Sequence, residues 1–393
     1  MTVDRVRVGD ILKLVRRPVI VDPLAEYEEI GIRSFGRGIF HKESISGVAL
    51  GNKRVFAIYP GELVLSNVFA WEGGIAVSSA ADEGKIGSHR FMTYQPVDNN
   101  QVDISWAGWF FLSDAGMDLI RKASPGSAGR NRTLAVERFE ALQILLPRID
   151  EQRRVAGDLD RASGRARALE VASARSGRLA SSYPASVAAQ TVRKSTLRRT
   201  RLGDVLEQIQ RPVEIDPGLR YTNMGIRAFG RGTFLYPECY GRDLGKLRFF
   251  EVPSGALAVS NIKAWEGAVS RSGERRAGLI ASNRFLFFSA RSGQADIRCV
   301  QYALLSEPGL EALGRASQGS ADRNRTLARQ RFEDIELDLP DPGPQLACGE
   351  AIERAELVAS TFLALARKRE ERVRALMPAL RNQLLSRDQH PHL

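Results

Sequence analysis

The same pattern of residues occurs twice in this chain. Gly31-Ile32-Arg33-Ser34-Phe35-Gly36-Arg37-Gly38-Ile39-Phe40 returns 194 residues later as Gly225-Ile226-Arg227-Ala228-Phe229-Gly230-Arg231-Gly232-Thr233-Phe234. At the same offset, Ser66-Asn67 and Ala70-Trp71-Glu72-Gly73 return as Ser260-Asn261 and Ala264-Trp265-Glu266-Gly267. Ser88-His89-Arg90-Phe91 returns as Ser282-Asn283-Arg284-Phe285, and Gly126-Ser127-Ala128-Gly129-Arg130-Asn131-Arg132-Thr133 as Gly319-Ser320-Ala321-Asp322-Arg323-Asn324-Arg325-Thr326. In a chain of 393 residues this offset is close to one half, so one module is duplicated end to end.

Each copy has two textures. Residues 1–149 and 196–342 are rich in Gly, Pro and short apolar runs. Leu63-Val64-Leu65, Ile75-Ala76-Val77 and Arg284-Phe285-Leu286-Phe287-Phe288 read as strands, Ser113–Ala123 and Glu307–Ala316 as short helices, and the mixture as a compact α+β domain. Residues 150–195 and 343–393 are dominated by Ala, Leu, Arg and Glu, which favour helix. The second segment carries Ile352, Ala355, Ala359, Phe362, Leu363, Ala366, Val373 and Leu376 at three/four spacing. The first is interrupted by Gly157, Gly164 and Gly177, so it needs a partner to be stable. Pro184 and Pro378 are expected to kink or interrupt the helices. The expected architecture is two homologous α+β domains, each followed by a long helix, with the two helices pairing antiparallel as a spacer.

A formal charge of +11 keeps a polyanionic partner in view. Cys239, Cys299 and Cys348 form no Cys-x-x-Cys pair, and two of the four histidines fall in the last four residues, so a disulfide framework or a zinc site is not expected. The first residues carry no signal-peptide pattern, and no apolar run is long enough to span a bilayer; a cytoplasmic protein is expected. Phosphate-binding and dinucleotide-binding glycine loops, a nucleophile elbow and a zinc-protease helix are all missing from the sequence, as is the Asn/Asp-Pro-Pro-aromatic motif of adenine methyltransferases. The expectation is a chain with no catalytic residues and no metal or cofactor of its own.

Three duplicated constellations remain. In Arg33…Phe35-Gly36-Arg37-Gly38 and Arg227…Phe229-Gly230-Arg231-Gly232, glycines beside arginine allow close backbone approach while the guanidinium reaches a phosphate or base edge; the plainer reading is a hairpin with solvated arginines. Arg130-Asn131-Arg132-Thr133 and Arg323-Asn324-Arg325-Thr326 suit a phosphate clamp, against a capped turn with exposed arginines. Trp71 and Trp265 could stack on a base, against a role in the core. Arg90 and Arg284 belong to the Ser-x-Arg-Phe repeat and are further candidates for DNA contact.

These residues together resemble a target recognition domain. Leu145-Leu146-Pro147-Arg148-Ile149-Asp150-Glu151-Gln152-Arg153-Arg154-Val155 is similar to the Leu-Pro…Glu-Gln signature that leads into the long helix of type I restriction–modification specificity subunits. The second copy, Leu339-Pro340-Asp341-Pro342-Gly343-Pro344-Gln345, keeps Leu-Pro and Gln but not Glu. The resemblance covers essentially the whole chain. It implies binding of double-stranded DNA, one half of a bipartite site per domain, with two modification (methyltransferase) subunits and restriction (translocase-nuclease) subunits as partners. S-adenosylmethionine, ATP and Mg would then belong to those partners. If the halves read different sequences, residues identical in both should hold phosphates or the fold. Base readout would fall where the copies diverge: residues 41–54 and 237–248, and 78–87 against 270–278. Two other readings stand beside this one: a basic tandem-repeat scaffold for protein interactions without sequence-specific DNA binding, and a nuclease or methyltransferase with an unrecognised active site.

Overall fold

The strands that open and close each α+β module pair with each other. Asp4–Arg7 runs antiparallel to Gln143–Leu146, and Leu197–Arg201 to Glu336–Pro340, so each module is closed before its long helix begins. The computed structural model describes residues 4–126, 132–274, 277–319 and 325–386. The chain forms two compact units, one of residues 1–173 with 368–393, the other of residues 174–367.

In the first unit, a four-stranded antiparallel sheet has the order Leu12–Val15, Phe91–Pro96, Leu63–Ser66, Ile75–Val77. Both faces of this sheet are covered. Leu63, Leu65 and Ile75 enter the main core with Tyr94, Trp106, Phe110, Phe111 and Phe139, whereas Val64 and Ala76 join Ile30, Ile32 and Ile58 on the opposite side. A strand buried on both faces has no need of polar alternation, which is why Leu-Val-Leu is uninterrupted. The helices Ile104–Leu112 and Asp114–Ala123 are capped by Asp103, which accepts from the Trp106 N–H, and by Ser113, which accepts from the Gly116 N–H. The first of these helices has no polar stripe because almost all of it is buried, and its sequence therefore lacks helical periodicity.

The second unit repeats the sheet in the order Leu206–Ile209, Phe285–Ala290, Leu257–Ser260, Val269–Arg271. Phe288 faces one core and its neighbour Phe287 the other. Beside it lies a larger sheet in which Thr222 and Asn223 of Arg220–Ile226 pair parallel with Leu279 and Ile280. The corresponding contact in the first unit is a single bridge, Glu29 to Ile86. The scaffold is duplicated closely, while its outer strands have diverged.

The long helices span Ile149–Arg193 and Pro342–Ser386, 45 residues each, and both continue through Pro184 and Pro378. Neither proline ends its helix, contrary to one of the two outcomes expected from sequence. Within the second unit, moving from Gly177 to Ala188 along the first helix corresponds to moving back from Leu363 to Ile352 along the second, as in an antiparallel pair. Within the first unit, Leu380, Leu384 and Leu385 join the core that Val155, Ala156 and Leu159 also enter. Part of the expected apolar stripe is not covered: Ile352, Ala355 and Ala359 are buried, but Phe362 and Leu376 are exposed, as are Leu357, Val358 and Leu365. The stripe is wider than one neighbouring helix can cover. Around Gly164 there is open space for a methyl group, so this glycine weakens the helix without a steric reason for its presence.

Each helix is fastened to its module by a buried glutamine. Gln152 is fully buried; its amide donates to the Pro147 carbonyl at 2.7 Å and the Gln101 carbonyl at 3.0 Å, and its Oε1 accepts from the Asp103 N–H at 2.9 Å. Gln345 does the same, donating to the Pro340 carbonyl at 2.7 Å and accepting from the Asp296 N–H at 3.0 Å. Glu151, by contrast, pairs on the surface with Arg154 at 2.7 Å. Of the Leu-Pro…Glu-Gln signature, the Gln makes the buried connection, so the second copy loses little by lacking the Glu. Replacing Gln152 with Ala leaves buried backbone groups without partners and should lower stability by about 2–4 kcal/mol. Glu151→Ala should lower it by under about 1 kcal/mol, since it touches only an exposed ion pair and the helix dipole. Urea denaturation of the two variants checks the order, and equal losses would contradict it.

Candidate nucleic-acid interface

The duplicated motifs converge on one surface of each unit. In the first unit, Ile30–Ile32 and Ile39–His41 form a hairpin with Gly31 opposite Phe40, and the Arg33–Gly38 turn closes on an Arg33 N–H to Gly38 carbonyl bond of 3.0 Å. The sequence places Gly at 31 because the Phe40 ring lies directly on it; a Cβ there would be 2.3 Å from Phe40 Cζ. Arg33 then stacks on the Phe40 ring, its Cζ 4.5 Å from the centroid. The second unit repeats the arrangement with Gly225, Phe234 and Arg227, the last at 4.8 Å.

This turn is bonded edge-on to the Ala-Trp-Glu-Gly segment. The Phe35 N–H donates to the Glu72 carbonyl at 2.8 Å and the Gly36 N–H to the Gly73 carbonyl at 2.9 Å. Phe229 and Gly230 make the same bonds to Glu266 and Gly267, at 2.8 and 2.9 Å. Contact is so close that a Cβ on Gly73 would lie 3.3 Å from the Phe35 backbone, and Gly73 itself has φ +81°. Only glycine meets both demands without strain.

Asn67 ties in the remaining loops. Its N–H donates to the Arg90 carbonyl at 2.9 Å, and its carbonyl accepts from the Leu134 N–H at 2.8 Å, two residues beyond Arg132. Asn261 does the same with Arg284 and Leu327, at 2.9 and 2.7 Å. Arg132 lies over the Trp71 ring with Cζ 5.4 Å from its centroid, and Arg325 over Trp265 at 5.2 Å. Both indoles are half-buried, and Trp71 Nε1 donates to the Val68 carbonyl at 2.9 Å. Trp71 thus braces the short turn, whereas the Trp265 indole N–H is buried without a partner among the described residues, and each ring has a guanidinium over it.

The structure accordingly brings Arg33, Arg37, Trp71, Arg90 and Arg132 together in one unit, and Arg227, Arg231, Trp265, Arg284 and Arg325 in the other. Arg130, Asn131, Arg323 and Asn324 lie outside the described residues. Among the described residues, no carboxylate comes within ion-pair range of Arg33, Arg37, Arg90, Arg227, Arg231 or Arg284. A surface rich in unneutralised guanidinium groups suits an anionic ligand. Elsewhere many arginines are paired, as with Arg298, whose bonds to Asp296 and Glu353 raise its pKa.

Sequence reasoning passed over the aromatic ring in the turn. Phe35 is 73% exposed and Phe229 70%, and they are the two non-glycine residues with positive φ among those described, at +63° and +59°. A bulky side chain held there costs roughly 1–3 kcal/mol of backbone strain. The only signal in the sequence is that the ring recurs between the same arginines.

The divergent segments are also placed together in the first unit, where His41 Nε2 meets Asp82 Oδ1 at 2.8 Å, joining residues 41–54 to 78–87. In the second unit, Tyr240 lies between Arg220 and Arg242, with Cζ atoms 5.0 and 4.6 Å from its ring centroid.

Against known proteins, no family model and no curated protein sequence matches this chain. Solved structures do match it. A crystal structure of the HsdS subunit from Thermoanaerobacter tengcongensis shares 15% identity over 98% of this chain and 97% of its own, with a TM-score of 0.53. A chain from a structural study of complex assembly and conformational transition in the type I R-M system shares 15% identity over 97% of both chains, with a TM-score of 0.67. At that identity the likeness is one of fold: two α+β modules and two long helices that pack together, as in HsdS. Among the described residues, no helix is long and apolar enough to cross a membrane.

If Gly73 is required for turn docking, Gly73→Ala should lower stability by about 1–2 kcal/mol or more from the left-handed backbone alone, before any crowding against Phe35. Gly84→Ala, at φ +74° but with open space around it, reports the backbone part separately. Equal losses by urea denaturation would mean that the close approach to Phe35 is not a constraint.

Proposed function

We propose that this chain is the non-catalytic DNA-specificity subunit of a type I restriction–modification complex, each α+β module reading one half of a bipartite site. The observation that carries this reading is the same arginine–aromatic surface built twice on a fold shared, over nearly its full length, with HsdS. Arg33, Arg37, Arg90 and Arg132, with Arg227, Arg231, Arg284 and Arg325, hold phosphates and so position each module. Arg130, Asn131, Arg323 and Asn324 act with them. Bases are read by the divergent segments, including those joined through His41 and Asp82. The long helices set the gap between the half-sites, and their exposed Val171, Leu179, Leu357, Val358 and Leu365 offer apolar surface on which modification subunits dock. Restriction subunits complete the assembly, and S-adenosylmethionine, ATP and Mg act in the partners. A protein-only scaffold gives no reason for unneutralised arginines recurring at equivalent positions.

Counterion release tests this reading. Each phosphate contact removed should flatten the slope of log K against log salt by about 0.9. Replacing Arg37, Arg132, Arg231 and Arg325 together with Ala should weaken binding to all duplexes while leaving the preferred sequence unchanged. An unchanged slope in fluorescence-anisotropy titrations would remove this surface from the DNA interface.

A further inference from the structure

We infer that Phe35 and Phe229 are stacking wedges, each ring pressing against the base stack of one DNA half-site. The inference rests on the functional reading above and extends it to two residues that make a different kind of contact from the arginines. Three observations carry it.

The first is exposure combined with strain. An exposed phenyl ring gains nothing by facing water, and its backbone is held in the left-handed region, where a glycine would sit without penalty. The same choice is made in both copies, although residue 34 has changed from Ser to Ala at position 228 and residue 39 from Ile to Thr at position 233. The second is rigidity. The ring projects from a turn fixed by backbone bonds on either side: Arg33 to Gly38 across the hairpin, and Phe35 and Gly36 to the tryptophan segment. Such a mount fixes the point and direction in which the side chain leaves the backbone. The third is its surroundings. Arg37 lies over the Phe35 ring with Cζ 5.7 Å from the centroid, and Arg231 over Phe229 at 5.5 Å, while Arg33 and Arg132 lie on the adjoining segments. Arginines beside an exposed aromatic form a stacking platform flanked by phosphate ligands.

An apolar ring inserted at a base step unstacks it and is sensitive to how easily that step deforms, without reading a hydrogen-bond pattern. That suits a residue identical in both modules, because it can fix the position of each module on DNA while leaving base identity to the divergent segments. The Arg37 and Arg231 side chains, each on a flexible stem, can leave the ring for a neighbouring phosphate as the base takes their place.

The experiment uses the full chain and a 40-base-pair duplex obtained by selection on that chain, with 2-aminopurine substituted in turn at each adenine of the two half-sites. Wild type should raise 2-aminopurine fluorescence at one step in each half-site. Phe35→Ala should abolish the signal in one half and Phe229→Ala in the other. Each should weaken binding roughly ten- to a hundredfold, with the salt slope unchanged because no cation is removed. Phe35→Gly should bind as poorly as Phe35→Ala while raising Tm, since it relieves the positive φ; that separates a lost contact from a damaged fold. If wild type binds selectively and the double Ala variant keeps its affinity and fluorescence, the wedge is wrong while the functional reading stands. If the double variant binds DNA normally but no longer joins its modification subunit, the rings are protein contacts and the inference is equally overturned. If wild type selects no sequence at all, the functional reading fails and the wedge with it.

Discussion

The surface of each unit depends on one close approach: two turns bonded backbone to backbone, with a glycine where they touch. Because Phe35 and Gly36 donate to Glu72 and Gly73, the arginine turn cannot move independently of the tryptophan segment. Because Asn67, five residues before Glu72, holds Arg90 and Leu134, two further loops inherit the same position. Four stretches far apart in sequence are thereby locked together by main-chain bonds, alongside the core packing of Ala70 and Leu134. The guanidinium groups of Arg33, Arg37 and Arg132 take no part in these main-chain bonds and lie instead over the Phe40, Phe35 and Trp71 rings. Pre-positioning of this kind reduces the entropy lost on binding, which makes an interface built from long, flexible arginines effective.

The same logic governs attachment of the helices. A glutamine side chain can both donate and accept, so one residue satisfies a helix start and two loop backbones at once. Gln152 and Gln345 fix the point at which each long helix leaves its module, and the helix beyond can then vary in composition. The glycines of the first helix and the exposed leucines of the second show how far the copies have drifted without losing that anchor. In the proposed role, such drift changes the surface offered to partner subunits while the exit from each module is retained.

Much of this organisation was legible in the sequence. The duplication, the α+β texture, the short helices near residues 113–123 and 307–316 and the two long helices all carry local signals in spacing or composition. The helix Ile104–Leu112 was not legible, because six of its nine residues are buried and Ser105 alone is polar, which is too little to define a period. Nor was continuity through Pro184 and Pro378, since the proline rule is local and the surrounding helix is long enough to continue across a missing N–H. The arginines stood out by charge and recurrence, but Phe35 and Phe229 did not. A phenylalanine in a sequence reads as core, and a ring placed in solvent on a strained backbone leaves no local signal of that placement.

In the proposed role, each of the two modules engages its own stretch of DNA. Selection of bound duplexes from a randomised library by the full chain, together with the modification subunits of the proposed complex, followed by sequencing, measures this directly. The account predicts a bipartite motif, two short defined stretches divided by a gap of constant length and unspecified sequence. A single uninterrupted motif, or enrichment without any motif, would contradict it.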